Sequence, residues 1–396
     1  MDQGLARLRL RFNPFEPAAS GAPTGPELWI PNGWKTMAEQ LLTMAESGHG
    51  PKAMAVVGEY GSGKTYLLNW LATQELPRRR IHPYYFDNPG VHFYDLANSL
   101  LRRLGRLSFA KSLWELLRPE VSGQRALFDE ELPFLVASRR GKGERLQLST
   151  ELQRAIQKHA ITGDEEIARK LARLIVETWE KPYFEYRDFV AGHKEALVAE
   201  REEAPYFKAI LRALRAAQGI EAVAFLIDEF EEVSLQKRLT RRDAHDYLAT
   251  LKRLLNLTQD ENFWVIVAMT HQAQDVTKQL EPTLWERFTS HGRYTFVIPP
   301  LRDAEARELV KRRVEWARTT NGSEDSLFPF PENFDTALQP STRSSPRRLV
   351  KVAFYCIAEG ARTDRRIDLP LRVAFIREVE ERIYPGSERA TDDPAT

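Results

Sequence analysis

V-V-G-E-Y-G-S-G-K-T-Y, residues 56–66, decides how the rest of the chain is read. A short apolar run, AMAVV (53–57), opens into Gly58-Glu59-Tyr60-Gly61-Ser62-Gly63-Lys64-Thr65. TYLLNWLATQEL (65–76) follows, with apolar positions every three to four residues. This is the pattern G-x-x-x-x-G-K-[ST] set between a strand and a helix. Its glycines admit backbone conformations closed to other residues, so successive N–H groups can converge on phosphate oxygens. The start of the following helix adds partial positive charge. Lys64 is expected to reach the β- and γ-phosphates, and the Thr65 hydroxyl to ligate Mg²⁺. A plain glycine turn with a surface lysine is the alternative, but the complete pattern in this setting points to a bound nucleoside triphosphate.

Outward from the loop, short apolar runs alternate with helical patterns. WKTMAEQLLTMAES (34–47) has helical spacing; a second strand is expected around Pro83–Phe86, and the helix FYDLANSLLRRLG (93–105) follows. AVAFLIDE (222–229), FWVIVAMT (263–270) and YTFVIPP (294–300) read as three further strands, and the chain turns helical again from Leu301. Strands this apolar are buried on both faces. The expected fold is therefore α/β: a five-stranded parallel sheet between helical layers. Residues 106–216 read as mainly helical, interrupted by the polar stretch SRRGKGERLQLST (138–150).

Hydrolysis needs an acid for the metal and a group that orients the attacking water. Asp228 and Glu229 end the third strand, where ligand-facing residues of open α/β sheets collect. Asp228 is expected to hold Mg²⁺ through water and Glu229 to polarise the nucleophilic water. The competing possibility is a solvated strand end or a helix cap. Glu231 and Glu232 read as a solvated face.

Composition narrows the setting. Lys and Arg number 57 against 56 Asp and Glu, so no global field draws the chain to nucleic acid or anionic membrane. Cys356 is the only cysteine, which fits a reducing compartment. No segment reads as a signal peptide or a membrane span, and a cytoplasmic location is expected. The expected organisation is an N-terminal segment and first helix (1–50), an α/β core (51–300) with a helical insert at about 106–205, a helical lid (301–380), and a disordered tail (381–396).

With these motifs in order, the chain resembles an AAA+ ATPase of the initiator and transposition-helper type. Gly58 to Thr65 matches Walker A, and Phe225 to Glu229 matches Walker B. The resemblance implies ATP and Mg²⁺ as cofactors, with adenine preferred over guanine. It implies that Thr270 is the polar sensor that contacts the γ-phosphate or the water, although the same residue could simply cap or terminate a strand. Arg287, in LWERFTSHGRYTFVIPPL, falls at the arginine-finger position, with Arg293 as its rival. Arg347, in STRSSPRRLVKVA, falls at the second sensor, with Arg348 beside it. NPFEP (13–17) resembles the Asn-Pro-Phe segment that lies near the adenine in such ATPases. A finger supplied in trans implies a homo-oligomer.

The chain departs from that family in two respects. The stretch between Lys64 and Asp228 exceeds a minimal core, and its aromatic piece ETWEKPYFEYRDF (177–189) could dock a partner or form the insert's own core. After the lid there is little room for the winged helix that initiators use on DNA. LRALRAAQGIEAVAFLIDEFEEV is also similar to ATPases of BREX-type phage-defence systems. Two functions follow: an oligomeric ATPase that drives assembly or remodelling of a client protein in a DNA transaction, or a nucleotide-dependent signalling switch without nucleic acid. DNA contacts would come from Lys237, Arg238, Arg241 and Arg242, or from Arg139, Arg140, Lys142 and Arg145.

Overall fold

The computed structural model describes residues 3–15, 30–48, 51–87, 93–121, 142–177, 186–190, 204–231, 241–319, 327–362 and 368–385. Five strands form one sheet: β1 (Ala53–Val57), β2 (Ile81–Phe86), β3 (Ala222–Ile227), β4 (Phe263–Met269) and β5 (Thr295–Val297), in the order β2-β3-β4-β1-β5. All run parallel, as the apolar runs led one to expect. β2 pairs with β3 from Ile81↔Ala222 to Phe86↔Ile227, and β3 with β4 from Val223↔Phe263 to Ile227↔Val267. Every residue of β1, β3 and β4 is buried, which is why these strands are continuously apolar and do not alternate.

The chain divides into two compact units. One comprises residues 39–56 and 71–296 and holds most of the sheet. Its core centres on Phe225, whose ring lies 4.7 Å from Phe263, 4.8 Å from Phe86 and 5.8 Å from Phe207. Fully burying a ring of this size stabilises by roughly 1.5–3 kcal/mol. The helical insert belongs to this unit. Helix Lys142–Lys158 packs against Glu165–Val176, whose start is capped by Asp164 accepting from the Ile167 N–H at 2.9 Å. Helix Pro205–Gln218 packs on Arg106–Leu117 and is tied by Arg212, which grips the buried Glu261 carboxylate through Nε and NH2.

Of the polar stretch 138–150, expected to interrupt the insert, residues 138–141 lie outside the described residues and the remainder is helical. Residues 142–150 belong to helix Lys142–Lys158, because Leu148 and Leu152 give that charged segment a buried face. Of the aromatic piece, Tyr186 and Phe189 are buried against Phe207 and Tyr206 and so serve the insert's own core. Residues 178–185 lie outside the described residues. So do Arg139, Arg140, Lys237, Arg238, Glu232, Glu16, Pro17 and the tail from 386 onward. Arg241 and Arg242 open helix Arg241–Asp260.

The other unit comprises residues 1–38, 57–70 and 297–396. It contains the glycine loop, the Asn-Pro-Phe segment and the C-terminal helices Asp303–Ala317, Pro346–Gly360 and Val373–Ile383. That last helix runs past residue 381, where the tail was expected to begin. Pro346 occupies the first turn of its helix, where its missing N–H costs nothing. Among the described residues no helix is long and apolar enough to cross a membrane.

Candidate functional site

The loop Gly58 to Gly63 follows β1 directly, and helix Lys64–Trp70 begins at the lysine. Gly61 and Gly63 have φ of 77° and 106°, so both sit where an L side chain is strained. Space is closed there as well. A Cβ at Gly61 would lie 2.7 Å from the Arg347 Cβ, and one at Gly63 would lie 3.0 Å from the Trp34 ring. At Gly58 it would meet the Ser62 hydroxyl at 2.5 Å. Lys64 is buried, and its ammonium donates to the carbonyl oxygens of Gly58 at 2.9 Å and Glu59 at 3.2 Å. It also lies 5.4 Å from the centroid of the exposed Tyr60 ring. Glu59 and Thr65 are exposed.

The lid and the N-terminal segment close around this loop within the same unit. The Arg347 N–H donates to the Gly61 carbonyl at 3.2 Å. Arg348, the alternative second sensor, instead stacks 5.0 Å over Tyr384. Asn13 donates through Nδ2 to the Phe354 carbonyl and accepts from the Phe15 N–H, which turns the segment so that Phe15 is wholly buried. Arg313 donates to the Pro14 carbonyl at 3.0 Å, and burial lowers its pKa.

In the sheet-bearing unit, β3 ends at Ile227, and Asp228 is buried while Glu229 is exposed. The Asp228 carboxylate accepts from two directions: the Tyr85 hydroxyl reaches Oδ2 at 2.8 Å, and the Glu229 N–H reaches Oδ1 at 2.9 Å. Burial first, and then the Asp228 charge, raise the Tyr85 pKa far above its usual value. Tyr85 is therefore a neutral donor. Glu229 has φ of 51°, a conformation uncommon for a non-glycine residue, of the kind held in place where function requires it. Thr270 follows β4, and its hydroxyl caps helix His271–Leu280 by accepting from the Ala273 N–H at 3.2 Å. Arg287 and Arg293 are both exposed, the first in the last turn of helix Pro282–Thr289. Neither forms an ion pair among the described residues.

In a parallel sheet the carboxyl ends of the strands line one edge, and ligands bind there. The order β3-β4-β1 sets the segments after Ile227, Met269 and Val57 in succession along that edge. The sequence profile of the AAA domain matches residues 47–277. The chain belongs to the AAA domain family. It is an AAA-type P-loop ATPase that binds nucleotide. The match spans the P-loop, Asp228, Glu229 and Thr270 and ends before Arg287 and the lid. No curated protein matches the ATPase in sequence.

The residues present fit a magnesium-bound polyphosphate. The P-loop offers glycine-paced N–H groups and one buried ammonium, while the Ser62 hydroxyl oxygen is shielded from solvent without a hydrogen-bond partner among the described residues. The Thr65 hydroxyl and the Asp228 carboxylate are each hard oxygen donors of the kind Mg²⁺ prefers. Three contacts were not foreseen from sequence: Trp34 against Gly63, Tyr85 on Asp228, and Arg313 on Pro14. Trp34 and Tyr85 lie inside ordinary-looking helix and strand patterns, and Arg313 lies in a run of alternating charge. Only the fold brings each to its place.

Proposed function

We propose that the ATPase binds and hydrolyses Mg-ATP at the interfaces of a homo-oligomer and uses the cycle to assemble or remodel a client in a DNA transaction such as transposition, replication or phage defence. The observation that carries this is the contact of Arg347 with Gly61: a lid side chain seated on the P-loop can feel whether the third phosphate is present.

The chain's own groups divide the work as follows. Gly58, Glu59, Tyr60, Gly61, Ser62 and Gly63 supply the loop backbone around the phosphates. Lys64 exchanges its bonds to the Gly58 and Glu59 carbonyls for phosphate oxygens. Thr65 and Asp228 hold the metal, which supplies charge neutralisation on the phosphate oxygens when bound. Glu229 orients and polarises the attacking water, and the raised strain at its backbone supports such a role. Thr270, at the strand end beside the P-loop strand, is the polar sensor; its hydroxyl keeps a lone pair beyond the one used in capping. Arg347 stabilises charge on the γ-phosphate in cis. Arg287 is the finger supplied in trans to the neighbouring subunit, and its exposure, with no ion pair among the described residues, supports that. An arginine so placed is worth about 10³–10⁵ in rate.

The test compares ATPase rate and oligomer size with and without duplex DNA across a range of salt. Stimulation that weakens as salt rises is the expected result. No binding and no change in rate at any salt would leave the nucleotide-dependent signalling switch as the function.

A further inference from the structure

The Asp228 carboxylate, at the end of β3, is held by a side chain from the neighbouring strand. Tyr85 stands opposite Leu226 in the β2–β3 register, and its hydroxyl crosses to Asp228 Oδ2 at 2.8 Å. The Asp228 N–H is fixed in turn by the Phe86 carbonyl at 2.8 Å, and Oδ1 accepts the Glu229 N–H at 2.9 Å. Backbone, one oxygen and the other oxygen are thus each held by a different group.

We propose that Tyr85 is a positioning residue for the metal site: its hydroxyl fixes the rotation of the Asp228 carboxylate in the orientation that meets Mg²⁺ or its water. This rests on the role proposed for Asp228. Each carboxylate oxygen has more than one lone pair, so an oxygen that accepts from Tyr85 or from the Glu229 N–H can still ligate. The oxygen atoms that bind are then presented in one orientation before the metal arrives, and no rotational freedom remains to be lost on binding. Outer partners of this kind commonly set metal affinity by about 10–100-fold. The same lock reaches the hydrolytic residue. Glu229 is the residue whose N–H completes the grip on Oδ1, and its backbone takes the left-handed conformation with φ of 51°. Tyr85 is itself half-buried on β2, whose other face carries the buried Tyr84 and Phe86 against Phe225, so the strand that holds the donor is anchored in the core.

The test uses the full chain and the variants Tyr85→Phe, Asp228→Asn and both together. Removing only the hydroxyl keeps the ring and its packing. Binding of a fluorescent ATP analogue is measured without metal and then with increasing Mg²⁺, and Mn²⁺ affinity in the presence of nucleotide is read by electron paramagnetic resonance. The expected result for Tyr85→Phe is unchanged metal-free nucleotide affinity, metal affinity about 10-fold weaker, and kcat lowered more than KM is raised. In the Asp228→Asn background the Phe substitution adds nothing further, because Tyr85 acts through that carboxylate. If Asp228→Asn weakens the metal but Tyr85→Phe does not, Tyr85 has no positioning role and the metal assignment stands. If Asp228→Asn leaves metal affinity unchanged, the assignment of Asp228 fails and takes the role of Tyr85 with it. A Tyr85→Phe effect of equal size on metal-free nucleotide binding would mark a general loss of structure and overturn the proposal as well.

Discussion

Arg347 lies flat against Gly61: a Cβ on the glycine would stand 2.7 Å from the arginine Cβ and 2.9 Å from its Cδ, and the Arg347 N–H donates to the Gly61 carbonyl at 3.2 Å. The lid therefore approaches the P-loop backbone as closely as a glycine allows. Gly61→Ala meets two costs, the strain of φ 77° and the overlap with a side chain rooted in a helix. We expect the variant to fold, since the loop is local, but to bind Mg-ATP at least 10-fold more weakly in a fluorescence titration. Wild-type affinity would show that the lid does not rest on the loop in solution.

Glu229→Gln keeps the shape of the side chain and removes its basicity. ATP binding should persist while turnover falls by a factor of roughly 10²–10⁴, the range typical of a lost general base. Single-turnover measurement with radiolabelled ATP distinguishes this from slow product release, and hydrolysis at the wild-type rate would remove Glu229 from the mechanism.

Much of this was legible in the sequence. The strands announced themselves because a sheet covered on both faces leaves AMAVV, AVAFLI and FWVIVAM no polar position. The P-loop is readable because its chemistry is carried by backbone, and backbone freedom is written as glycine. Helix Arg241–Asp260 went unforeseen: its first residues, RRDAHD, read as a charged patch, and the buried face is carried mainly by later residues such as Tyr247, Leu248, Leu251, Leu254 and Leu255. Tyr85 could not be singled out, since a tyrosine between Tyr84 and Phe86 is what any aromatic strand would show. Which of two adjacent arginines meets the P-loop was likewise open. A helix turns about 100° per residue, so Arg347 faces Gly61 and Arg348 faces Tyr384, but the phase of that helix is set by packing.

Arg287 and Arg293 are separated by a mixing experiment. Arg287→Ala and Glu229→Gln should each be nearly inactive alone. Mixed in equal amounts, they should regain a measurable fraction of the ATPase rate, because some interfaces would pair an intact Glu229 with an intact Arg287. Recovery only when Arg293→Ala replaces Arg287→Ala would transfer the finger to Arg293, and no recovery with either would place the finger in cis.

Cys356 offers a reporter of lid folding. It is the only cysteine in the sequence and is fully buried in helix Pro346–Gly360. Burial, and then the nearby Glu359 and Glu380 charges, push its thiol well above the ordinary value of 9.0. The native thiol should resist iodoacetamide at pH 8 and react once the chain is unfolded in urea. Because the unfolded thiol ionises near 9.0 while the buried one stays protonated, lid stability should fall as pH rises above 9.0. Rapid alkylation of native protein would contradict the burial.

Calorimetric titration of Mg-ATP into the wild-type chain and into Lys64→Ala tests the nucleotide site most directly. Saturable heat at one nucleotide per chain is expected for the wild type, with none for Lys64→Ala at equal melting temperature. A folded wild-type chain that gives no heat, or a Lys64→Ala variant that binds as tightly, would contradict a phosphate cradle at Gly58–Thr65.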